Sequence, residues 1–251
     1  MPVRETEAII LRTVPFNEAD KIVSFLSREE GRTRGIAPNA RRSLKRFGAT
    51  LEPLSHVRLR YQDHSARDLV RLESAELLDS FFEIQSQYEV AVGSSYVAEV
   101  CELLLPERET NDPFFRLVLL VMTEIRRTGD IWRPLTYFDL WAVKLAGFLP
   151  PMAACIRCRE PLEPGQPAWF RPHGDGLLCK NCRGPSAESD AWTFSAESRE
   201  RAREMLTAPL PTLSAEGWSK ARADDLRRFL GQHMERHLER KFVTRRQLDA
   251  L

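Results

Sequence analysis

The sequence predicts an α+β chain: a small five-stranded barrel at the N-terminus, then a helical domain that carries a metal site. Three observations lead there. Short alternating strands fill the chain up to about residue 76, and from Leu77 onward apolar residues recur at helical spacing. Further along, four cysteines stand in two pairs, Cys155-Ile-Arg-Cys158 and Cys179-Lys-Asn-Cys182.

Glu7 to Arg12 is rich in β-formers and is bounded by Pro15 and Asn17. Lys21 to Leu26 alternates, with Ile22, Val23, Phe25 and Leu26 apolar. Glu30-Gly31 reads as a tight turn into Arg32 to Ala37. His56 to Tyr61 alternates strictly, and Leu69 to Leu72 follows the polar stretch Asp63 to Asp68. Five short strands with the longest gap after the third match the partly open Greek-key barrel called the OB-fold. The gap, Asn39 to Phe47, has room for a short helix. The barrel is expected over residues 1–80.

That region holds Arg32, Arg34, Arg41, Arg42, Lys45 and Arg46, with no acid between Glu30 and Glu52. Phe47 closes the cluster, and Phe16 and Tyr61 are aromatics close by in sequence. Cations beside rings suit single-stranded nucleic acid, because the cations meet phosphates and the rings stack on bases. A solvated surface loop is the plainer reading of the charges, and barrel core is the plainer reading of Phe16 and Tyr61.

In the helical domain, expected over residues 81–251, Tyr88, Val92, Tyr96, Val100, Leu103 and Leu104 recur at three and four, and Pro106 ends that helix. Asp112 caps the next, which runs from Phe114 to Thr128 and stops at Gly129. A third spans about Pro134 to Ala146. Ser195 caps a fourth, and Ser214 caps a long one from about Glu216 to Leu238. His233 and His237 read as a solvent-facing pair, and Cys101 as core. The basic segment Glu239 to Arg246 is either a second polyanion contact or a frayed terminus.

Each cysteine pair, with its two-residue spacer, turns both sulfurs toward one ion. Two such turns make a closed tetrahedral site of the kind Zn²⁺ accepts, so Cys155, Cys158, Cys179 and Cys182 are the expected ligands of one structural zinc. The segment between them holds Pro161, Pro164, Gly165, Pro167, Pro172, Gly174 and Gly176 and little apolar material, so a metal is what would order it. The insertion is expected at about residues 150–190, with His173 an ordinary surface residue. Redox dithiols and two disulfides are the rivals; no βαβ pattern flanks the pairs.

Bulk charge attracts nothing, with 37 basic residues against 36 acidic. The apolar fraction, 43%, suffices for a core, and runs such as Leu117 to Met122 are too short to span a bilayer. Met1-Pro2-Val3-Arg4-Glu5 does not open a signal peptide, and the paired cysteines with one spare fit a reducing compartment. A cytoplasmic, nucleoid-associated protein is expected. No phosphate loop, dinucleotide fingerprint, nucleophile elbow or zinc-protease helix motif occurs, so no enzyme is expected.

Barrel, helices, four-cysteine site and helices, in that order, resemble the bacterial recombination mediators of the RecO family. The likeness rests on Phe16-Asn17-Glu18-Ala19-Asp20-Lys21-Ile22-Val23, on Gly31, and on Ala37-Pro38-Asn39-Ala40-Arg41-Arg42. Phe47-Gly48, Glu52-Pro53-Leu54, the four cysteines, Glu239-Arg240-Lys241 and Arg245-Arg246 continue it. Pro38-Asn39 departs from the family's basic residue and glycine; Asn39 can adopt the left-handed conformation that glycine would supply.

The resemblance implies binding of single- and double-stranded DNA, annealing of complementary strands and partnership with RecR. It also implies contact with the C-terminal tail of SSB and help in loading RecA. A groove for that acidic, apolar-ended tail is sought on the last long helix. There Trp218, Leu226, Phe229 and Leu230 stand beside Lys220, Arg222, Arg227 and Arg228. Two other readings remain: a zinc-containing RNA-binding or transcription-associated module, and a pure protein adaptor whose basic loop serves acidic tails.

Overall fold

The structure is a computed structural model; it describes residues 3–42, 46–63, 68–172, 174–184 and 191–251. Its contacts group into two compact units, Met1–Arg127 with Phe242–Leu251, and Thr128–Lys241.

The first unit opens with β1 (Val3–Phe16), β2 (Asp20–Ser27), β3 (Gly31–Ala37), β4 (His56–Gln62) and β5 (Val70–Asp79). They close in the order β1-β2-β3-β5-β4, with β4 returning to β1. Every pairing is antiparallel except β3 with β5, which meet in parallel at Gly35↔Val70 and Ile36↔Arg71. This is the OB-fold topology that the strand count predicts. Alternation sends Ala8, Ile10, Val23, Phe25, Val57 and Leu59 into the barrel, where Tyr61 and Phe47 join them. No helix forms among the described residues of the long gap. Residues 38–42 and 46–50 run as turns, because Phe47 and Leu51 are drawn into the core and hold that stretch against the strands.

β1 and β5 run further than the sequence suggests. Both are carried past their own β-forming stretch by pairing, β1 along β2 as far as Phe16↔Asp20 and β5 along β4 as far as His56↔Asp79. The lower half of β3 lacks a strand partner of β5 and is met by the connection after α1 (Tyr88–Leu104). Arg32 bridges Glu107 there, and Arg108 N–H donates to the Arg32 carbonyl at 2.8 Å. Gly31 serves that contact twice over. Its φ is +70°, and a Cβ on it would stand 1.8 Å from the Glu109 carbonyl oxygen.

α1 and α2 (Asp112–Thr128) complete the unit with α6 (Val243–Ala250). Asn111, one residue before the expected cap, accepts from Phe114 N–H at 3.0 Å. The basic C-terminal segment is neither frayed nor extended. It forms α6, whose first amides at Val243 and Thr244 donate to the Glu99 carboxylate of α1 at 2.8 and 2.9 Å, while Phe242 packs edge-on against Tyr96.

The second unit contains α3 (Trp132–Leu145), the cysteine segment with the short strands β6 (Ala168–Phe170) and β7 (Trp192–Phe194), α4 (Ala196–Thr207) and α5 (Lys220–Leu238). Ser195 caps α4 as expected. α5 begins later than expected, because Ser219 rather than Ser214 accepts from Arg222 N–H, at 3.2 Å. Of the expected solvent-facing pair, only His237 is exposed. His233 is buried against Phe229 and Phe148, its Nε2 is 2.9 Å from the Phe148 carbonyl, and His237 stacks on the Phe148 ring. Burial lowers the His233 pKa from its ordinary value, with the neighbouring His237 charge a further cause. No described helix is long and apolar enough to cross a membrane.

Replacing Gly31 with alanine is expected to lower stability by about 2 kcal/mol or more, from the left-handed penalty and the shift forced on the Glu109 backbone. A urea unfolding curve checks this; a loss under about 0.5 kcal/mol would mean the connection does not press on that position.

Candidate metal centre and nucleic-acid interface

The first cysteine turn is tied at both ends. Cys155 N–H donates to the Glu160 carbonyl at 2.9 Å, Arg159 N–H returns to the Cys155 carbonyl at 2.8 Å, and Arg159 takes a φ of +64°. The second turn repeats the closure, with Cys182 and Arg183 N–H both donating to the Cys179 carbonyl at 3.1 Å. Ile156 N–H donates to the Leu177 carbonyl at 2.8 Å and so links the first turn to the approach of the second, while a paired exchange at 3.0 and 2.7 Å holds Leu178 on Trp169.

The four sulfurs consequently lie within 4.8 Å of one another, and none is in a disulfide. Cys158 Sγ and Cys179 Sγ are 3.8 Å apart. A tetrahedron with metal–thiolate bonds of about 2.3 Å has sulfur–sulfur edges of about 3.8 Å, so the set fits a metal ion. The sulfurs also differ in acidity. Burial pushes the Cys155 thiol up, but backbone N–H groups of Cys158, Cys179 and Arg157 outweigh it and bring the pKa to about 6. Cys182 is pushed up to about 12, first by its hydrogen bond to Cys179, then by burial and the other sulfurs. Four sulfurs this close lose all their protons only with a cation among them.

The cations of the barrel separate into two groups. Arg32 is mostly covered, with its side chain 14% exposed; its Nε donates to the Leu105 carbonyl at 2.8 Å and its Nη1 meets Glu107 at 3.3 Å. Arg34 Nε meets the same carboxylate at 2.9 Å. These two clamp the barrel to the connection after α1. Arg41 and Arg42 are exposed and no ion pair joins either to a carboxylate among the described residues. Arg41 N–H donates to the Ala19 carbonyl at 3.0 Å and its guanidinium reaches the Asn17 carbonyl at 3.3 Å, so this turn rests on the β1–β2 turn. Asn39 sits at φ +55°, and its N–H donates to the Asp20 carboxylate at 2.8 Å. Arg46 braces the loop through the Pro38 carbonyl at 2.6 Å and lies over the Phe47 ring. Lys45 and His173 fall outside the described residues.

Phe16 is 39% exposed beside this turn, whereas Tyr61 and Phe47 are core. Register adds two cations that the sequence argument missed. Lys21 lies across from Ala37, and exposed Arg71 lies beside Ile36. Pairing alone places them there, and only the strand order could have found them.

The groove sought on α5 is not open. Leu226, Phe229 and Leu230 are buried, and Trp218 is half-buried. Arg222 meets Glu197 at 2.6 Å, Arg228 meets Asp224 at 2.5 Å, and Arg227 is buried with Asp139 at 3.4 Å; Lys220 is half-buried at the start of the helix. The apolar stripe that looked like a docking face is the face that packs on α3 and on Phe170 and Phe194.

A family model described as "Recombination protein O N terminal" matches residues 1–81, and one described as "Recombination protein O C terminal" matches residues 85–246. The chain belongs to the RecO family. Similar curated proteins are each called DNA repair protein RecO. The one from Koribacter versatilis is 45% identical over 249 residues, 99% of both chains. That of Anaeromyxobacter sp. strain Fw109-5 is 29% identical, over 97% of this chain and 94% of its own, and that of Symbiobacterium thermophilum is 29% identical, over 100% and 98%. The family is one of DNA repair proteins, which agrees with the expectation drawn from the resemblance.

Changing both Cys155 and Cys158 to serine should abolish stoichiometric metal and raise proteolysis between residues 150 and 194, while the barrel keeps its unfolding transition. Acidification should release the metal from the unaltered chain, because protons compete for the same sulfurs. Elemental analysis across a pH series reads both; metal retained by the double variant would remove these sulfurs from the ligand set.

Proposed function

We propose that the chain is a non-enzymatic recombination mediator. On this reading it binds single- and double-stranded DNA on its barrel, brings complementary strands together and assists RecA loading with RecR on SSB-coated DNA, in the cytoplasm at the nucleoid. The observation that carries it is the exposed Arg41–Arg42 turn, laid on the β1–β2 turn of an OB barrel beside exposed Phe16. OB-folds bind strands with such loops, where cations track phosphates and a ring offers a stacking surface. Neutralising phosphates on two strands lowers the repulsion between them, which is what annealing requires. RecR, RecA and the SSB tail enter as partners through membership of the family.

We propose zinc as the metal. Four thiolates in a closed tetrahedron favour a soft divalent ion with no geometric preference of its own. Its task is structural: it joins the two cysteine turns, while Leu162, Phe170 and Leu177 of the segment between them are buried in apolar packing. No coordination position remains open for chemistry.

With about four phosphates engaged, affinity for single strands should fall with salt at a log–log slope near −3. Arg41, Arg42 and Lys45 changed together to alanine should flatten that slope by about two and slow annealing of SSB-coated strands. Arg46 is kept because it braces the loop. Metal content and melting should not change. A folded, metal-loaded variant with the parent slope would place DNA elsewhere, and preference for structured RNA over single-stranded DNA would favour an RNA-binding module.

A further inference from the structure

A cleft of about 520 Å³ opens beside the C-terminal end of α5, within the second unit. Its volume lies inside the range of small-ligand sites, roughly 300–1,000 Å³. Pro172 and Trp192 supply its flat apolar wall. Trp192 is half-buried and already fixed: Phe170 meets it edge-on with centroids 5.5 Å apart, and the Arg228 guanidinium lies over the ring at 5.2 Å. Arg240 and Lys241 stand exposed at the rim, and no ion pair joins either to a carboxylate among the described residues. Glu235 and Glu239 also line the cleft. The carboxamide oxygen of Gln232, in the same wall, is buried without a hydrogen-bond partner.

We propose that this cleft takes one unstacked base of a single DNA strand, with the base against Pro172 and Trp192 and its phosphate on Arg240 and Lys241. This rests on the reading of the chain as a DNA-binding protein. A pre-set aromatic wall accepts the face of any base, which is worth roughly fivefold to more than a hundredfold in affinity. The rim cations meet one phosphate, and the carboxylates set the preference within the cleft. An amino-bearing base such as cytosine donates to Glu235 or Glu239, and to the unmet acceptor of Gln232; thymine has no amino group to give. Arg236, paired with Asp175, also lines the cleft, and an acidic peptide is the competing occupant that the experiment separates. A second strand contact apart from the barrel lets one chain hold two strands, or two stretches of one, which suits annealing.

The experiment is photo-crosslinking of the full-length, metal-loaded protein to a deoxycytidine oligomer carrying a single 5-iodocytosine, with sites mapped by mass spectrometry. A crosslink at Trp192 is expected, weaker with the matching thymine oligomer carrying 5-iodouracil. Arg240→Glu with Lys241→Glu should reduce it about fivefold or more at unchanged melting temperature. The alanine variant of Arg41, Arg42 and Lys45 should lose barrel crosslinks and keep the one at Trp192. A crosslink at Trp192 without any along residues 38–50 would sustain this inference while overturning the barrel as the strand site. An oligomer that binds and crosslinks only on the barrel overturns the inference, as does its displacement from Trp192 by an acidic peptide.

Discussion

The first unit depends on one strand serving two partners. β1 pairs with β4 through Val3 to Ile9 and with β2 through Ala8 to Phe16, and its register shifts between Ile10 and Arg12. That shift bends the strand and lets one element close the barrel. It also leaves Ile10 with backbone groups to offer the long loop. Leu54 N–H donates to the Ile10 carbonyl at 2.6 Å, and Ile10 N–H donates to the Ser55 carbonyl at 3.0 Å. The loop is therefore tied down where it leaves β3, at the turn on Ala19, and where it returns to β1. A basic loop held at both ends presents Arg41 and Arg42 from a fixed place, so less ordering entropy is lost when a strand binds.

In the second unit the controlling quantity is charge. Four thiolates around a divalent ion would leave net negative charge, and Arg157, Arg159, Lys180 and Arg183 sit on the cysteine turns. Arg157 donates to the Cys182 carbonyl at 3.4 Å, and Arg183 lies over the Trp169 ring at 4.7 Å. These cations would offset such a charge.

Much of this was legible in the sequence, for physical reasons that can be named. The second and fourth strands announced themselves by period-two alternation, the others by β-formers and flanking turns, and the cysteine spacing stated its own geometry. What stayed hidden depends on partners distant in the chain. Glu73 to Glu76 carries no strand signal and is strand only because β4 lies alongside. The stripe Leu226, Phe229, Leu230 told that one face of α5 is apolar, but not that α3, Phe170 and Phe194 cover it. Arg32 and Arg34 looked like Arg41 and Arg42 until Glu107 came to meet them from across α1. His233 was misread because Phe148, far away in sequence, packs over it, whereas His237 stacks on the same ring and stays exposed.

The central claim is that strands lie on the turn formed by residues 38–42 and the β1–β2 connection. Hydrogen–deuterium exchange of the full-length protein with and without a saturating single-stranded oligomer tests it most directly. The account predicts slowed exchange over Pro15 to Lys21 and over residues 38–50, with α2, Asp112–Thr128, unchanged. Slowing confined to α6, with residues 15–21 and 38–50 exchanging as in the free protein, would contradict it.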